Sequence, residues 1–299
     1  MKTLTKTLLP LAAGLLAAGS LQAQLPVGCH YPIGAEGLKG ADLPPPGFYV
    51  RDYNYFYYAD RIDGMPAQFE NVDFFAYVQA VKLVYLSDWK LLGANWGVDL
   101  IVPFPYKNIT GDFGSAGQFN LGDIYACPLL LSWHRQQFDF SAAYGVWAPS
   151  GNFDASTPLR MLASPGVGYW SHMITLGGVW YPDEKKTWAL SLLNRYEVST
   201  EQDHTQITPG NVYSLEWSLS KSVAPGVDVG LVGYWQAQAT EDSGSHAATA
   251  LAHVVALGPE ISVMWEKLGL ISSLRYEYEV DAKDRPQGQA VVLTLTKRF

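Results

Sequence analysis

Charged side chains stand singly at alternate positions inside otherwise apolar stretches of this chain, and that placement limits the chemistry open to them. Glu216 lies among Ser214, Ser218 and Ser220, opposite Tyr213, Leu215, Trp217 and Leu219. Asp228 and Tyr234 oppose Val227, Val229, Leu231 and Trp235; Glu260 opposes Leu257, Ile261, Val263 and Trp265; Arg275, Glu277 and Glu279 oppose Leu274, Tyr276 and Tyr278. Asp99 sits opposite Trp96, Val98 and Leu100, and Asp139 and Trp147 sit opposite Phe138, Phe140 and Val146. Asp73, Arg51, Arg195 and Glu197 complete the set. On extended chain, residues two apart share a face. Such a face can line an aqueous passage and set its field, which acids in excess over arginines would turn against anions. Unpaired acids are costly in a dry interior, so a lining this acidic is expected to be hydrated.

Other chemistries find little support. Histidines 30, 134, 172, 204, 246 and 253 are scattered without metal-site spacing, and His172 shares its face with Trp170 and Ile174 rather than with a serine. Asp183 and Glu184 adjoin Lys185 and Lys186 as a solvated turn. Phosphate loops and dinucleotide fingerprints are absent from the sequence. No catalytic residue, bound metal or cofactor is expected. Cys29 and Cys127 belong to no C-x-x-C pair, and whether they bond to each other is open, because sequence does not place their Cα atoms within reach.

The elements that must position these residues are strands. About twelve segments follow one another, approximately 47–58, 71–86, 91–103, 120–133, 137–148, 169–181, 187–198, 211–221, 226–238, 251–265, 268–280 and 288–299. Their lengths suit a tilted crossing of a hydrocarbon layer, which needs roughly 9–11 residues. A stacked sandwich would alternate too, so the connections decide. Short turns near 87–90, 134–136, 182–186, 224–226 and 266–267 alternate with long loops at 60–70, 104–121, 149–168, 200–210, 240–250 and 281–287. That asymmetry is the mark of a transmembrane antiparallel up-and-down β-barrel, all-β, with short turns on the periplasmic side and long loops outside. Closure satisfies every backbone group in lipid and leaves no open edge. Tyr85, Trp89, Trp133, Trp170, Trp180, Tyr181, Trp188, Trp265 and Tyr278 fall at segment ends, as interfacial girdles require. In the first strand either face could meet lipid. If Glu266-Lys267 is a two-residue turn, Glu260 lies opposite Ser273 and diagonal to Arg275, predicting an ion pair across the strands.

Composition agrees: 16% charged residues is low, and 13% aromatics is high. Residues 1–23, with Lys2 and Lys6 before an apolar run and Leu21-Gln22-Ala23 for cleavage, read as an export signal. The remainder carries a net charge of about −10, which argues against nucleic acid as a partner. Residues 24–46 hold five prolines and four glycines with no period. They read as a linker or as a plug folded back into the lumen, the linker being the simpler.

The run from Pro44 to Gly64, Pro-Pro-Pro-Gly-Phe-Tyr-Val-Arg-Asp-Tyr-Asn-Tyr-Phe-Tyr-Tyr-Ala-Asp-Arg-Ile-Asp-Gly, joins Gly122-Asp123-Ile124-Tyr125, Trp147-Ala-Pro-Ser-Gly151 and the terminal Phe299. Together these resemble the outer-membrane proteins labelled for the meta-cleavage pathway of phenol degradation. The resemblance implies a bacterial outer-membrane barrel that helps small hydrophobic or aromatic compounds enter the cell, with no catalytic signature to carry over. Its aromatic C-terminus resembles the closing strand that the barrel-assembly machinery reads. The expectation is a passive uptake channel; the alternative is a structural or surface-interaction barrel acting through its long loops.

Overall fold

Period-two segments bury one face either by stacking as two sheets or by curling until the first strand meets the last. In the computed structural model, which describes residues 28–64, 71–112, 114–245 and 247–299, they curl. The export-signal reading of residues 1–23 falls outside the described residues. In chain order the elements are β1 (Gly47–Ile62), β2 (Val72–Leu91), β3 (Ala94–Gly111), β4 (Gly114–Phe119), β5 (Ile124–His134), β6 (Phe138–Ala148), α1 (Pro158–Ala163), β7 (Ser171–Trp180) and β8 (Trp188–Ser199). Then come β9 (Ile207–Thr208), β10 (Val212–Ala224), β11 (Val227–Gln238), β12 (Ser243–Gly244), β13 (His253–Trp265), β14 (Leu270–Lys283) and β15 (Pro286–Arg298). All pairings are antiparallel between neighbours, β1 closes on β15 from Tyr49↔Arg298 to Ile62↔Pro286, and the wall is a closed barrel of 12 strands. β4 is a flap on the far end of β3, and β9 pairs with β12 within the loops.

The outer wall is oily. Leu176, Ile174, Leu274 and Leu231 are each about half exposed, a surface that lipid solvates and water would not. Tyr85, Trp89, Trp180, Trp188 and Trp265 are exposed near the short-turn end, with Phe299 beside Phe48 at 6.0 Å. The barrel, its oily belt and its aromatic rims place the protein in the bacterial outer membrane.

Several expectations change in detail. Asp73 is not a lumen residue: β2 turns Ala76, Ala80, Lys82 and Val84 inward, so Asp73 faces out and accepts from Tyr58 Oη at 2.5 Å. It sits at the loop end of β2, where water reaches the outer face and parity is free of lipid. Tyr181 leaves the girdle, being 3% exposed with its hydroxyl on Asp42. β1 settles with Tyr49, Tyr53 and Tyr57 buried inside and Phe48, Phe56 and Tyr58 outside. The long loop at 281–287 shrinks to two residues, because β14 and β15 continue past the barrel rim as a hairpin. The β13–β14 turn takes in a short 3₁₀ turn, Glu266–Leu268, and pairs Trp265 with Leu270, which sets Glu260 directly opposite Arg275. The predicted ion pair forms at 3.1 Å even though the predicted register was two residues out. A shift of two preserves parity, so the right side chains still meet.

Candidate functional site

Residues 28–46 run down the barrel interior from the loop end to the short-turn end, so the simpler linker reading gives way to a segment inside the lumen. A stretch so rich in proline and glycine makes neither helix nor strand, yet each buried N–H needs an acceptor. The wall supplies them in sequence. His30 and Tyr31 donate their amides to Glu197 at 3.0 and 3.3 Å, Glu36 to Glu216 at 3.0 Å, and Leu38 to Glu260 at 3.0 Å. Lys39 donates to Ser218 at 3.1 Å and Ala41 to Ser191 at 3.2 Å. These acceptors are the inward stripes of β8, β10 and β13. From β1, the hydroxyl of Tyr53 donates to Glu36 at 2.9 Å and that of Tyr55 to the Ile33 carbonyl at 3.1 Å.

Charges inside the barrel are compensated by the plug and by one another. Glu36 of the plug meets Arg51 at 2.5 Å, Lys82 at 3.6 Å and Arg195 at 3.9 Å. Burial alone would raise its pKa, but these three cations, Arg51 foremost, hold it well below the usual carboxylate range. Arg275, buried, pairs with Glu260 at 3.1 Å and Glu277 at 3.2 Å and donates to the plug carbonyls of Gly34 and Ala35 at 2.5 and 3.0 Å. Arg195 bonds Glu216 and lies 3.9 Å over the Tyr31 ring, and Lys39 reaches Asp228 at 2.7 Å. The expected hydrated acidic lumen is therefore corrected: most of these acids bind backbone amides and cations instead of water.

At the loop end, His30 is clamped between Glu197 (Nδ1, 3.0 Å) and Asp123 (Nε2, 3.4 Å), stacked 5.5 Å from Trp147 and edge-on to Tyr169 at 4.7 Å. Burial pulls its pKa down, but the hydrogen bonds and charges of Asp123 and Glu197 prevail and raise it above the ordinary value. Asp123 also accepts the amides of Gly151 and Val167, each at 2.8 Å. Gly151 and Gly166 come so close to Asp123 and to each other that no side chain fits at either. The Gly-Asp-Ile-Tyr and Trp-Ala-Pro-Ser-Gly motifs thus meet at one carboxylate that ties two loops to the plug. Ser171 Oγ lies 2.9 Å from His30 Nδ1, giving a serine–histidine–aspartate order, but Ser171 is fully buried and also hydrogen-bonds Glu197 at 2.8 Å. It offers no surface to a substrate. Cys29 and Cys127 are free thiols.

Between the plug and the wall lies a cavity of about 970 Å³ that touches most of the strands. Its apolar lining is Val78, Ala80 and Val84 of β2, Ile101 of β3, Leu130 of β5 and Met173 of β7, with Tyr125 and Trp147, while charged groups that include Arg51, Lys82, Lys107 and Arg275 line it too. The lining extends from Met264 and Gly269 at the short-turn end to Pro165 and Val167 beneath the loops. Two buried polar atoms on it, Trp147 Nε1 and Asp99 Oδ1, have no hydrogen-bond partner among the described residues. The other Asp99 oxygen faces Lys82 at 3.4 Å.

Of the residues read from the sequence as lumen-lining, Asp99, Asp139, Trp147, Arg195, Glu197, Glu216, Asp228, Tyr234, Glu260, Arg275 and Glu277 all point inward. They do not form one set. Glu197, Glu216, Asp228, Glu260 and Arg275 grip the plug, Tyr234 donates to Glu279 at 2.9 Å, Asp139 lies near the periplasmic mouth, and Asp99 and Trp147 border the cavity. Sequence reasoning missed His30, Glu36, Lys39 and Lys82. The alternating tyrosines at 53, 55 and 57 were the available signal, since a row of inward phenols needs acceptors inside.

A family model described as "Putative MetA-pathway of phenol degradation" matches residues 59–295. Among solved structures, an outer membrane channel from Pseudomonas putida F1 superposes with a TM-score of 0.72 at 14% identity, covering 90% of this chain and 99% of that one. The translocator domain of the autotransporter NalP from Neisseria meningitidis gives 0.53 at 11% identity, covering 87% and 91%. The β domain of the Bordetella autotransporter BrkA gives 0.51 at 12% identity, covering 86% and 100%. No curated protein matches the chain. At these identities the likeness is one of fold.

Proposed function

We propose that this chain, which belongs to the phenol-degradation family whose model it matches, is a passive, non-enzymatic outer-membrane entry route for small hydrophobic or aromatic molecules. The observation that carries the reading is the apolar stretch of the lumen wall that the plug leaves bare. The plug engages Glu197, Glu216, Asp228 and Glu260, and the 970 Å³ cavity beside it takes in a continuous aliphatic and aromatic stretch of β2, β3, β5 and β7 alongside Arg51, Lys82 and Lys107. A solute held there would gain from burial against Val84, Leu130 and Met173. A concentration gradient supplies the driving force. Assembly would proceed through the exposed Phe299 at the end of β15.

The test is liposome flux with phenol, benzoate and a sugar of similar size, on the native barrel and on Val84→Trp/Leu130→Trp, which narrows the cavity at its apolar wall. Phenol is expected to outrun both others, and the double variant to slow it. Sugar passing as fast as phenol, or no solute-selective flux at all, would favour the surface-interaction alternative and remove this reading.

A further inference from the structure

At the short-turn end of the lumen, plug and wall bring together three ligating atoms that lie far apart in sequence. Asp42 belongs to the last part of the plug, His134 ends β5, and Asp139 stands just inside β6 across a tight turn. His134 Nδ1 lies 3.1 Å from Asp139 Oδ1 and 3.8 Å from Asp42 Oδ1, and the three ligand atoms fall within 4.8 Å of one another. Two atoms each bound to zinc at about 2.0–2.2 Å with tetrahedral angles are roughly 3.3–3.5 Å apart, so the two His134 separations bracket a metal-site edge. The longer one is no hydrogen bond. Among the described residues, no donor lies within hydrogen-bond distance of Asp42 Oδ1.

The far side of each ligand is held from outside the cluster. Ser132 Oγ, buried, lies 2.8 Å from His134 Nε2, which aims Nδ1 at the carboxylates. The Tyr181 hydroxyl donates to Asp42 Oδ2 at 3.1 Å, and Lys186 Nζ stands 3.6 Å from Asp139 Oδ2 while lying 4.3 Å over the Tyr181 ring. Partners of this kind orient ligands in working metal sites. His134 and Asp42 are about one-third exposed, leaving a path from periplasmic water.

We propose that Asp42, His134 and Asp139 bind a divalent first-row transition cation that staples the base of the plug to the β5–β6 hairpin, with water as the remaining ligand. One imidazole nitrogen with two carboxylate oxygens suits Zn²⁺ and its neighbours, and falls short of the oxygen shell that Ca²⁺ requires. The staple goes beyond the uptake reading and does not depend on it.

Calorimetric titration of the folded barrel with ZnCl₂ in a non-chelating buffer tests it. One saturable equivalent is expected, unaffected by excess Ca²⁺ and by His172→Ala on the outer wall. His134→Ala and Asp42→Asn are each expected to weaken it at least tenfold, and Ser132→Ala roughly tenfold through the freed imidazole. Absence of saturable binding, or binding undiminished in His134→Ala, overturns the site. Binding lost in His134→Ala but intact in Asp42→Asn overturns the staple, because the cation would then sit on the wall alone. Should Asp42→Asn fail to fold, Tyr181→Phe replaces it: severalfold weaker binding supports the plug's part, and unchanged binding overturns it.

Discussion

Replacing Gly37 by alanine tests whether the plug is held by the wall carboxylates. A Cβ at this position would lie 2.5 Å from Glu260 Cδ and closer still to Glu260 Oε2 and Arg275 Nη1. Both are ends of flexible side chains, but neither is free to swing. Glu260 Oε2 accepts from the Leu38 amide at 3.0 Å and from Arg275 at 3.1 Å, and Arg275 is fixed further by two plug carbonyls. Relief therefore comes from the plug, which loses the Leu38 bond to a charged acceptor, worth about 1.5–3 kcal/mol. Residual overpacking adds about 1–3 kcal/mol. A destabilisation of about 3 kcal/mol shifts docking on the order of a hundredfold, at about 1.4 kcal/mol per factor of ten. Cys29 reports the change in a Cys127→Ser background. In the docked plug its Sγ accepts from Gln236 Nε2 at 3.3 Å, and burial pushes the thiol pKa far above its ordinary value, so thiolate is scarce. Maleimide labelling of Gly37→Ala should run roughly a hundredfold faster, with heat-modifiable gel mobility of the barrel unchanged. An unaltered labelling rate in a folded variant would refute the view that this contact holds the plug.

Two further outcomes follow from the buried charges. Arg275→Met leaves Glu260 and Glu277 without their common cation and should cost about 3–5 kcal/mol in urea unfolding of the refolded barrel, whereas loss of an exposed pair such as Arg160–Asp154 should be nearly silent. His30 has a docked pKa raised above the ordinary 6.5, so its contribution to plug docking is full below pH 6.5 and is lost as pH rises through the docked value. Cys29 labelling, corrected for the thiolate fraction of a free thiol, should accelerate on the alkaline side and lose that component in His30→Gln; acceleration toward acid instead would contradict the clamp.

The wall was legible because lipid enforces parity. Most crossings show oil outward, β1 with Asp52 and Asn54 on its outer face being an exception, and a residue's partner two positions away confirms its face, which is why Glu260 and Arg275 met despite a shifted register. Asp73 was misplaced where that enforcement ends, above the hydrocarbon, and Tyr181 where a segment end turns into the lumen to reach Asp42. The plug was illegible for a different reason. Many of its attachments are backbone amides and carbonyls, which have no letter in the sequence. The visible half of each contact was the acceptor, so an inward excess of acids read as a demand for water when it was a demand for N–H groups from residues 30–41.

That exchange bears on selectivity. An open barrel with Glu197, Glu216, Asp228 and Glu260 facing water would hold a negative field and admit cations. Arg195 and Arg275 of the wall already pair with Glu216 and Glu260, and the docked plug adds His30 on Glu197, Lys39 on Asp228 and backbone donors, which weaken that field further. What remains open to a solute includes the stretch lined by Val84, Ile101, Leu130 and Met173, where a hydrated ion has little to exchange for its water. The plug therefore does more than narrow the passage. By engaging Glu197, Glu216, Asp228 and Glu260 it raises the apolar share of the wall that a solute meets, and a barrel whose inward sequence favours cations becomes, on the proposed reading, one better suited to small neutral apolar molecules.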